Sequence, residues 1–507
     1  MVKMDRKKIV TWKPALRVVN IGAVIAFLLL LIPLLRLAAY AVPWYDDFNY
    51  GSFAKAAMAG EPGIGGALKG AWECARVQWF AWQGTFSSAF FMAITPVIWE
   101  ESRYFLGPVF LILLLAVSVF LLTGALTGNV LHVDAGTSLS PQIISVIMVI
   151  ELIYTAQQGF YWYNGGVHYV GMHSFCMLLI AVLVKLWGQK SIKSVKGILL
   201  IALSMSGALL AGGSNYVTAL QGLIVLCIIG GLAFVTEKKK ILRYLPAAGV
   251  YAFAFYKNVS APGNQVRAAS YEGWGYSPVQ AVLRSFSEAF RHSWLFTGWI
   301  TVAFLVLLLP LIWHMVGKSS FAFKLPGLVL VGSFCLYATG FTPSLYSMGH
   351  AGLSRTLNAV KITWQILLLI NEVYWLGWLK RILERRGKYA PKNGIAVWWF
   401  YVLVGAAMFV IFQRSPNQAG CYSSYGAYYY LHRGEAVQFY AEYRERLELL
   451  HSDEKDIVFA PYQCRPWFLC MGDLDENPDA EENQSVAAWY DKDSVVVKNT
   501  ENENMRQ

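Results

Sequence analysis

The sequence predicts an all-α polytopic membrane protein of about eleven transmembrane helices, and three observations predict it. Of 507 residues, 56% are hydrophobic and only 14% charged, against roughly a quarter charged in soluble proteins. The mean hydropathy is +0.43. Eleven apolar stretches approach the ~20 residues that a helix needs to cross a bilayer. The aromatic share of 15% suits a chain with many Trp and Tyr side chains at membrane interfaces.

In chain order the stretches lie near 18–42, 105–127, 141–160, 172–188, 197–213, 216–236, 242–256, 293–316, 325–342, 355–379 and 394–413. Lysine and arginine set the orientation. Lys3, Arg6, Lys7, Lys8, Lys13 and Arg17 precede the first stretch and place the N-terminus in the cytoplasm. An alternating path then puts "GQKSIKSVKG", "TEKKKILR" and "LKRILERRGKYAPKNG" inside as well, and all three are basic. Eleven crossings leave the C-terminal tail outside. The first apolar run is long and no small-residue cleavage site clearly follows it, so it reads as a retained span and not as a cleaved signal.

Charge distribution narrows the function. A net +11 would suit a nucleic-acid binder, but residues 414–507 carry 17 acidic and 9 basic side chains, a net of −8, and the remainder carries +19. The basic excess gathers in short clusters between apolar runs, as in cytoplasmic loops. Nucleic acid is therefore not the expected partner; membrane lipids are. The chain divides into a membrane portion, 1–413, and an extracytoplasmic cap, 414–507.

On the outer side, a long first loop (43–104) predicts an amphipathic helix over 66–94 along the membrane surface, rich in aromatics in "VQWFAWQGTFSSAFFM". "YWYNGGVHYVGMHS", 257–292 and "TPSLYSMGHAGLSRT" make the next outer connections. The tail predicts a helix over 432–451, strands at "DIVFAP" and "SVVVK", and a disordered end, "NTENENMRQ". No internal repeat suggests an inverted-repeat transporter. Cys176, Cys227 and Cys335 lie in apolar stretches and read as small buried hydrophobes. Cys464 and Cys470, in the tail with Cys421, are close enough in sequence to close a small disulfide outside the cytoplasm.

The outer connections hold the chemistry. "DDFNYG" places Asp46 and Asp47 directly after the first stretch. With Arg103, His168, His173, Lys257, Arg267, His350 and Arg355 they gather carboxylates and cations beside the bilayer, which suits reaction on a phosphate-bearing lipid. A carboxylate accepts a proton from an attacking hydroxyl. Arginine holds a phosphate through paired donors and stabilises the charge of its departure. Equally, either aspartate reads as a helix cap, and the arginines read as interfacial anchors. In "NVSAPGNQVRAAS" a Pro-Gly turn sits beside Asn264 and Arg267, and "MGHAGLSRTLNAV" brings His350 and Arg355 to the start of the tenth stretch. Glu151, inside the third, is either a site member or a hydrogen-bonded structural residue. Two adjacent aspartates are insufficient evidence for a magnesium site, which usually needs more oxygen ligands. A divalent cation stays open, but a phosphate leaving group helped by arginine does not require one, and no other cofactor is called for.

The order "DDFNYG", "WQGTFSS", "YWYNGGVHYV", "APGNQVR", "SRTLN", with "ENQSVAAWYDKDSV" in the tail, resembles bacterial multi-pass proteins related to the GT-C glycosyltransferases, among them serotype-converting glucosyltransferases. The resemblance covers most of the membrane portion. One position departs: the family's "WNGR" stands here as "WQGT", Trp82 to Thr85, without the arginine. The resemblance implies a GT-C-like helical bundle in a bacterial plasma membrane. It also implies a catalytic aspartate in the first outer loop, here Asp47 or Asp46 with Asp47 favoured, and a sugar donor on polyprenyl phosphate. Arg267 and Arg355 would hold the departing phosphate; His168, His350, Asn264 and Trp82 are candidate substrate contacts. The acceptor would be a cell-surface glycan or lipid, attacked with inversion. A transporter or flippase of lipid-linked saccharides would need charges along a path through the membrane; a polymerase or ligase would use outer arginines too; a structural scaffold would need no such outer loops.

Overall fold

The computed structural model describes residues 12–386 and 395–498. Lys3, Arg6, Lys7 and Lys8, the 387–394 part of the third basic loop, and "NTENENMRQ" lie outside the described residues.

The chain is a helical, multi-pass membrane bundle. Helix α1 (Trp12–Ala38) exposes Leu28, Leu29 and Ile32 along one side, a face that only a bilayer suits. Three short helices follow: α2 (Asp46–Gly60), α3 (Ile64–Ala81) and α4 (Phe86–Ala93). Next come α5 (Leu106–Ala125) and α6 (Ala135–Glu151). The carboxylate of Asp134 starts α6 by accepting from the Thr137 amide at 3.0 Å and its hydroxyl at 2.8 Å. A one-turn α7 (Tyr163–Gly166) runs through a widened turn into α8 (Met172–Trp187). Helices α9 (Val195–Gly212), α10 (Tyr216–Thr236) and α11 (Leu245–Val259) follow, the first two capped by Ser194 and Asn215.

A short α12 (Gly263–Ser270) precedes α13 (Pro278–Phe296), which starts on a Ser277–Gln280 capping box with proline in its first turn. The membrane portion closes with α14 (Trp299–Lys318), α15 (Pro326–Ala338), α16 (Thr342–Met348), α17 (Ser354–Arg385) and α18 (Ile395–Arg414). Among the described residues seven helices are long and apolar enough to cross a membrane, and Ala135–Glu151 and Trp399–Arg414 are shorter apolar helices.

The C-terminal unit comprises α19 (Gln418–Cys421), α20 (Ser423–His432), α21 (Glu435–Leu450), β1 (Asp456–Phe459), α22 (Glu481–Tyr490) and β2 (Ser494–Val497). The strands pair in parallel, Ile457 opposite Val495, with α22 in the crossover. Arg446 braces the unit: it donates to both oxygens of Asp473, at 2.7 and 3.2 Å, and lies 3.5 Å over the Tyr462 ring. Hydrogen bonds fasten the unit to the bundle at several places, three of which span its length. Lys55 of α2 donates to the Trp489 carbonyl at 2.6 Å, Gln157 donates to the Cys470 carbonyl at 2.7 Å, and Ser424 meets the Glu151 carboxyl through its amide and hydroxyl.

Several expectations need correction. The single helix over 66–94 is two, broken at 82–85. There Gly84 sits so close to the Asn258 carbonyl that a β-carbon would fall 1.8 Å from its oxygen. The third span stops at Glu151, because the chain turns at 152–156 to accept the Asn358 side chain, which bonds the Thr155 amide and carbonyl at 2.9 and 3.2 Å. Cys464 and Cys470 are free thiols, each turned to a backbone carbonyl, of Glu435 and Gly472. Cys227 and Cys335 are exposed, on outward faces of α10 and α15, and only Cys176 of the three is buried.

Candidate functional site

The "DDFNYG" and "YWYNGG" segments are interlocked. At the first turn of α2 the two aspartates diverge, because neighbouring helix positions are rotated by about 100°. The carboxylate of Asp47 is fully buried and accepts three hydrogen bonds: from the Trp44 amide at 2.9 Å, the Tyr104 hydroxyl at 2.7 Å and the Asn164 amide at 3.2 Å. The Tyr104 hydroxyl in turn accepts from the Tyr163 amide at 2.9 Å, and the Asn164 side chain donates to the Asp46 carbonyl at 2.6 Å. Asp47 is thus a knot tying α2 to the starts of α5 and α7. Burial pushes its carboxyl up to about 7, with the bonds from Trp44 and Tyr104 pulling the other way.

Asp46 faces a cavity of about 620 Å³. Its carboxylate accepts no hydrogen bond among the described residues. Burial pushes it up to about 6; the Arg355 guanidinium lowers it and the Glu481 carboxylate raises it. A carboxyl group tuned this way is ionised at neutral pH yet more basic than an ordinary aspartate.

The opposite wall is made by two loops fitted backbone to backbone. Gly84 fits under Asn258, and at Gly263 a β-carbon would fall 2.6 Å from the Trp82 nitrogen. Asn264 locks the fit: its oxygen accepts from the Gly84 amide at 2.9 Å and the Tyr216 hydroxyl at 2.5 Å, and its nitrogen donates to the Asn258 carbonyl at 2.9 Å. That docking presents Arg267, which bonds the Gln83 side chain and lies between the Trp82 and Tyr271 rings at 5.7 and 5.9 Å. Arg355, from the first turn of α17, lies 5.5 Å over the Trp162 ring. Neither guanidinium forms a salt bridge among the described residues, so both are free to meet an anion. His168 sits in the wall with its Nδ1 buried and unpaired.

A third side comes from α22. Glu481, Gln484 and Ser485 line the cavity, and the Tyr45 hydroxyl donates to Glu481 at 2.5 Å. A second cavity of about 750 Å³ adjoins the first, sharing Gln83, His168, Tyr169, Arg267 and Tyr271. It runs between the ends of α10, α11 and α16 past Leu220, Phe255 and Val259.

Of the residues singled out from sequence, Asp46, Trp82, His168, Arg267 and Arg355 line one cavity. Asn264 lines the adjoining one, its side chain fully engaged in holding the loops. Asp47 turns away into the protein. His350 is exposed in a turn, its Nδ1 accepting from the Gly352 amide at 3.1 Å. Arg103 pairs with Glu100, His173 lies between Thr218 and Thr363, and the Lys257 ammonium covers the Trp79 ring. Glu151 is held by Ser424, away from this cavity. Sequence reasoning missed Glu481, Tyr45 and Gln83. The adjacency of Gln83 to Trp82 and of Tyr45 to Asp46 offered the signal for those two. Among the described residues no group of three or more His, Cys, Asp or Glu side chains is disposed to hold a metal ion. Compared with known proteins, the chain matches no family model, no curated protein and no solved structure.

Proposed function

We propose that the protein is a membrane glycosyltransferase that moves a sugar from a polyprenyl-phosphate donor to a cell-surface glycan or lipid acceptor. One observation carries the proposal: a single cavity at the end of the bundle sets one unbonded carboxylate, Asp46, among two arginines without salt bridges and several aromatic faces. Aromatic faces suit sugar rings, and paired guanidiniums suit a phosphate.

In this reading Asp46 and not Asp47 is the base. Asp46 takes the proton of the acceptor hydroxyl as that oxygen forms a bond to the anomeric carbon. The anomeric carbon–oxygen bond to phosphate breaks, its electron pair leaving with polyprenyl phosphate, and the anomeric centre inverts. Arg267 and Arg355 hold the departing charge. Arg267, at the junction of the two cavities, puts the phosphate there, with the prenyl chain along the apolar wall at Phe255 and Val259 and the acceptor on the α22 side. The topology that goes with it has eleven crossings, the N-terminus in the cytoplasm and the C-terminal unit outside in a bacterial plasma membrane.

The test is to incubate purified protein with a panel of polyprenyl-phosphate sugars and to follow release of polyprenyl phosphate with and without glycan acceptors. Release from one member, dependent on Asp46, is expected. No turnover of any member, with wild-type protein shown folded, would remove the proposal.

A further inference from the structure

A third cavity, of about 790 Å³, lies apart from the candidate site, between α1, α6, α14, α18 and α20. Its size is in the range of small-molecule sites, about 300–1,000 Å³. Each helix contributes residues from the end nearest the C-terminal unit: Leu29 from α1, Ile147 from α6, Ile300 and Phe304 from α14, Phe412 from α18. The cavity therefore lies in the half of the membrane on the side of Asp46. Its walls are mostly apolar and continuous with the exposed face of α1, where Leu29 is 61% and Ile32 51% exposed.

The polar groups stand at two depths, the Glu151–Ser424 pair beside the Leu30 carbonyl and Arg36 about 9 Å further along α1. Arg36, in the last turn of α1, is exposed and forms no salt bridge among the described residues. Beside the mouth, the Tyr428 and His432 rings stack at 5.4 Å, 8° from parallel. The one carboxyl group in the wall, Glu151, is taken up by the amide and hydroxyl of Ser424. An apolar chamber open to lipid, ending in an unpaired cation at headgroup depth, has the polarity of an anionic amphiphile.

We infer that this cavity is a binding site for an anionic phospholipid, its acyl chain against Leu29, Ile300 and Phe304 and its phosphate at Arg36. The occupant joins α1 and α18 to α20, the second helix of the C-terminal unit, so it braces that unit from below. The site is independent of the glycosyl-transfer reading.

The test uses the full chain in detergent, titrated with dioleoylphosphatidylglycerol or dioleoylphosphatidylcholine, with bound lipid counted by native mass spectrometry. Wild-type protein should prefer the anionic lipid by about fivefold, the order expected for one interfacial cation. Arg36→Gln should abolish the preference, whereas Arg103→Gln, an ion-paired arginine outside the cavity, should keep it. Ile300→Trp, which fills the chamber from a half-buried position, should weaken retention of both lipids. Equal retention of the two lipids by wild type, or a preference that survives Arg36→Gln, overturns the inference. Competition by millimolar inorganic phosphate also overturns it, because the ligand would then be a soluble anion.

Discussion

Replacing each aspartate of "DDFNYG" by asparagine separates a catalytic carboxylate from a structural one. Asparagine keeps the size of aspartate but has one acceptor oxygen and no basicity. At position 46 the carboxylate accepts no hydrogen bond among the described residues, so Asp46→Asn should leave the fold intact. It removes the base, whose assistance is worth on the order of 10² to 10⁴ in rate, or about 3–5 kcal/mol of barrier. At position 47 three donors converge, two of them on one oxygen. The best an amide can do is to present its oxygen to Trp44 and Tyr104 and its nitrogen to the Asn164 amide, leaving one buried donor unmet. That costs about 1–3 kcal/mol of stability.

The assay is release of polyprenyl phosphate at saturating donor, beside a thermal unfolding curve for each variant. Asp46→Asn should lose nearly all turnover with an unchanged midpoint; Asp47→Asn should lower the midpoint. The pH profile adds a check. The base works ionised, so kcat/KM is full above the Asp46 pKa, about 6, and falls about tenfold per pH unit below it. An ordinary carboxylate would hold activity to near pH 4. If folded Asp46→Asn protein keeps more than about a tenth of the wild-type rate, short of the usual loss, Asp46 is not the base.

Arg267→Ala and Arg355→Ala should each depress kcat/KM by about 10²–10³, the scale for a lost charge-stabilising donor, and lysine should restore only part of it; full rates in both alanine variants would end their assignment. Gly84→Ala must push the Asn258 carbonyl away, so it should cost about 1–3 kcal/mol and separate Arg267 from Gln83, and a wild-type unfolding midpoint would contradict the fit. In a cysteine-free background, a cysteine placed in 480–507 should react with an impermeant reagent from outside, and one in 385–393 should not; the reverse pattern would place the cavity in the cytoplasm. Deleting 421–507 removes Glu481, Gln484 and Ser485 from the cavity and should change acceptor choice or rate, and unchanged kinetics in a stable truncated protein would show that α22 is dispensable.

The bundle was legible in the sequence because crossing a membrane is a local demand. Every apolar stretch expected to span overlaps a helix. Hydrophobicity, however, reports depth and not neighbours. Cys227 and Cys335 show it: core and lipid accept the same side chains, so an apolar context could not tell their exposed positions from the buried Cys176. The break at 82–85 was hidden for the same reason, since what stops the helix is the loop around Asn258 and Asn264, about 180 positions away.

The aspartate pair sharpens the point. Sequence put both beside the membrane and favoured Asp47 for the pocket, whereas Asp46 is the one that lines the cavity. Asp47 is turned inward by Tyr104, 57 positions later, and by Asn164, 117 positions later; with that bond network satisfied, Asp46 is the residue left to face the cavity. Glu481 was further from reach, because it meets Tyr45 across 436 positions. The polar residues of such a chain can be placed on one end of the bundle by reading alone. Which of them share a cavity is settled by lateral packing, and packing depends on glycines, amides and tyrosines that carry no chemistry of their own. Gly84, Asn164, Asn258 and Asn264 are residues of that kind, and Asp47, chemically the equal of its neighbour, is used as one of them.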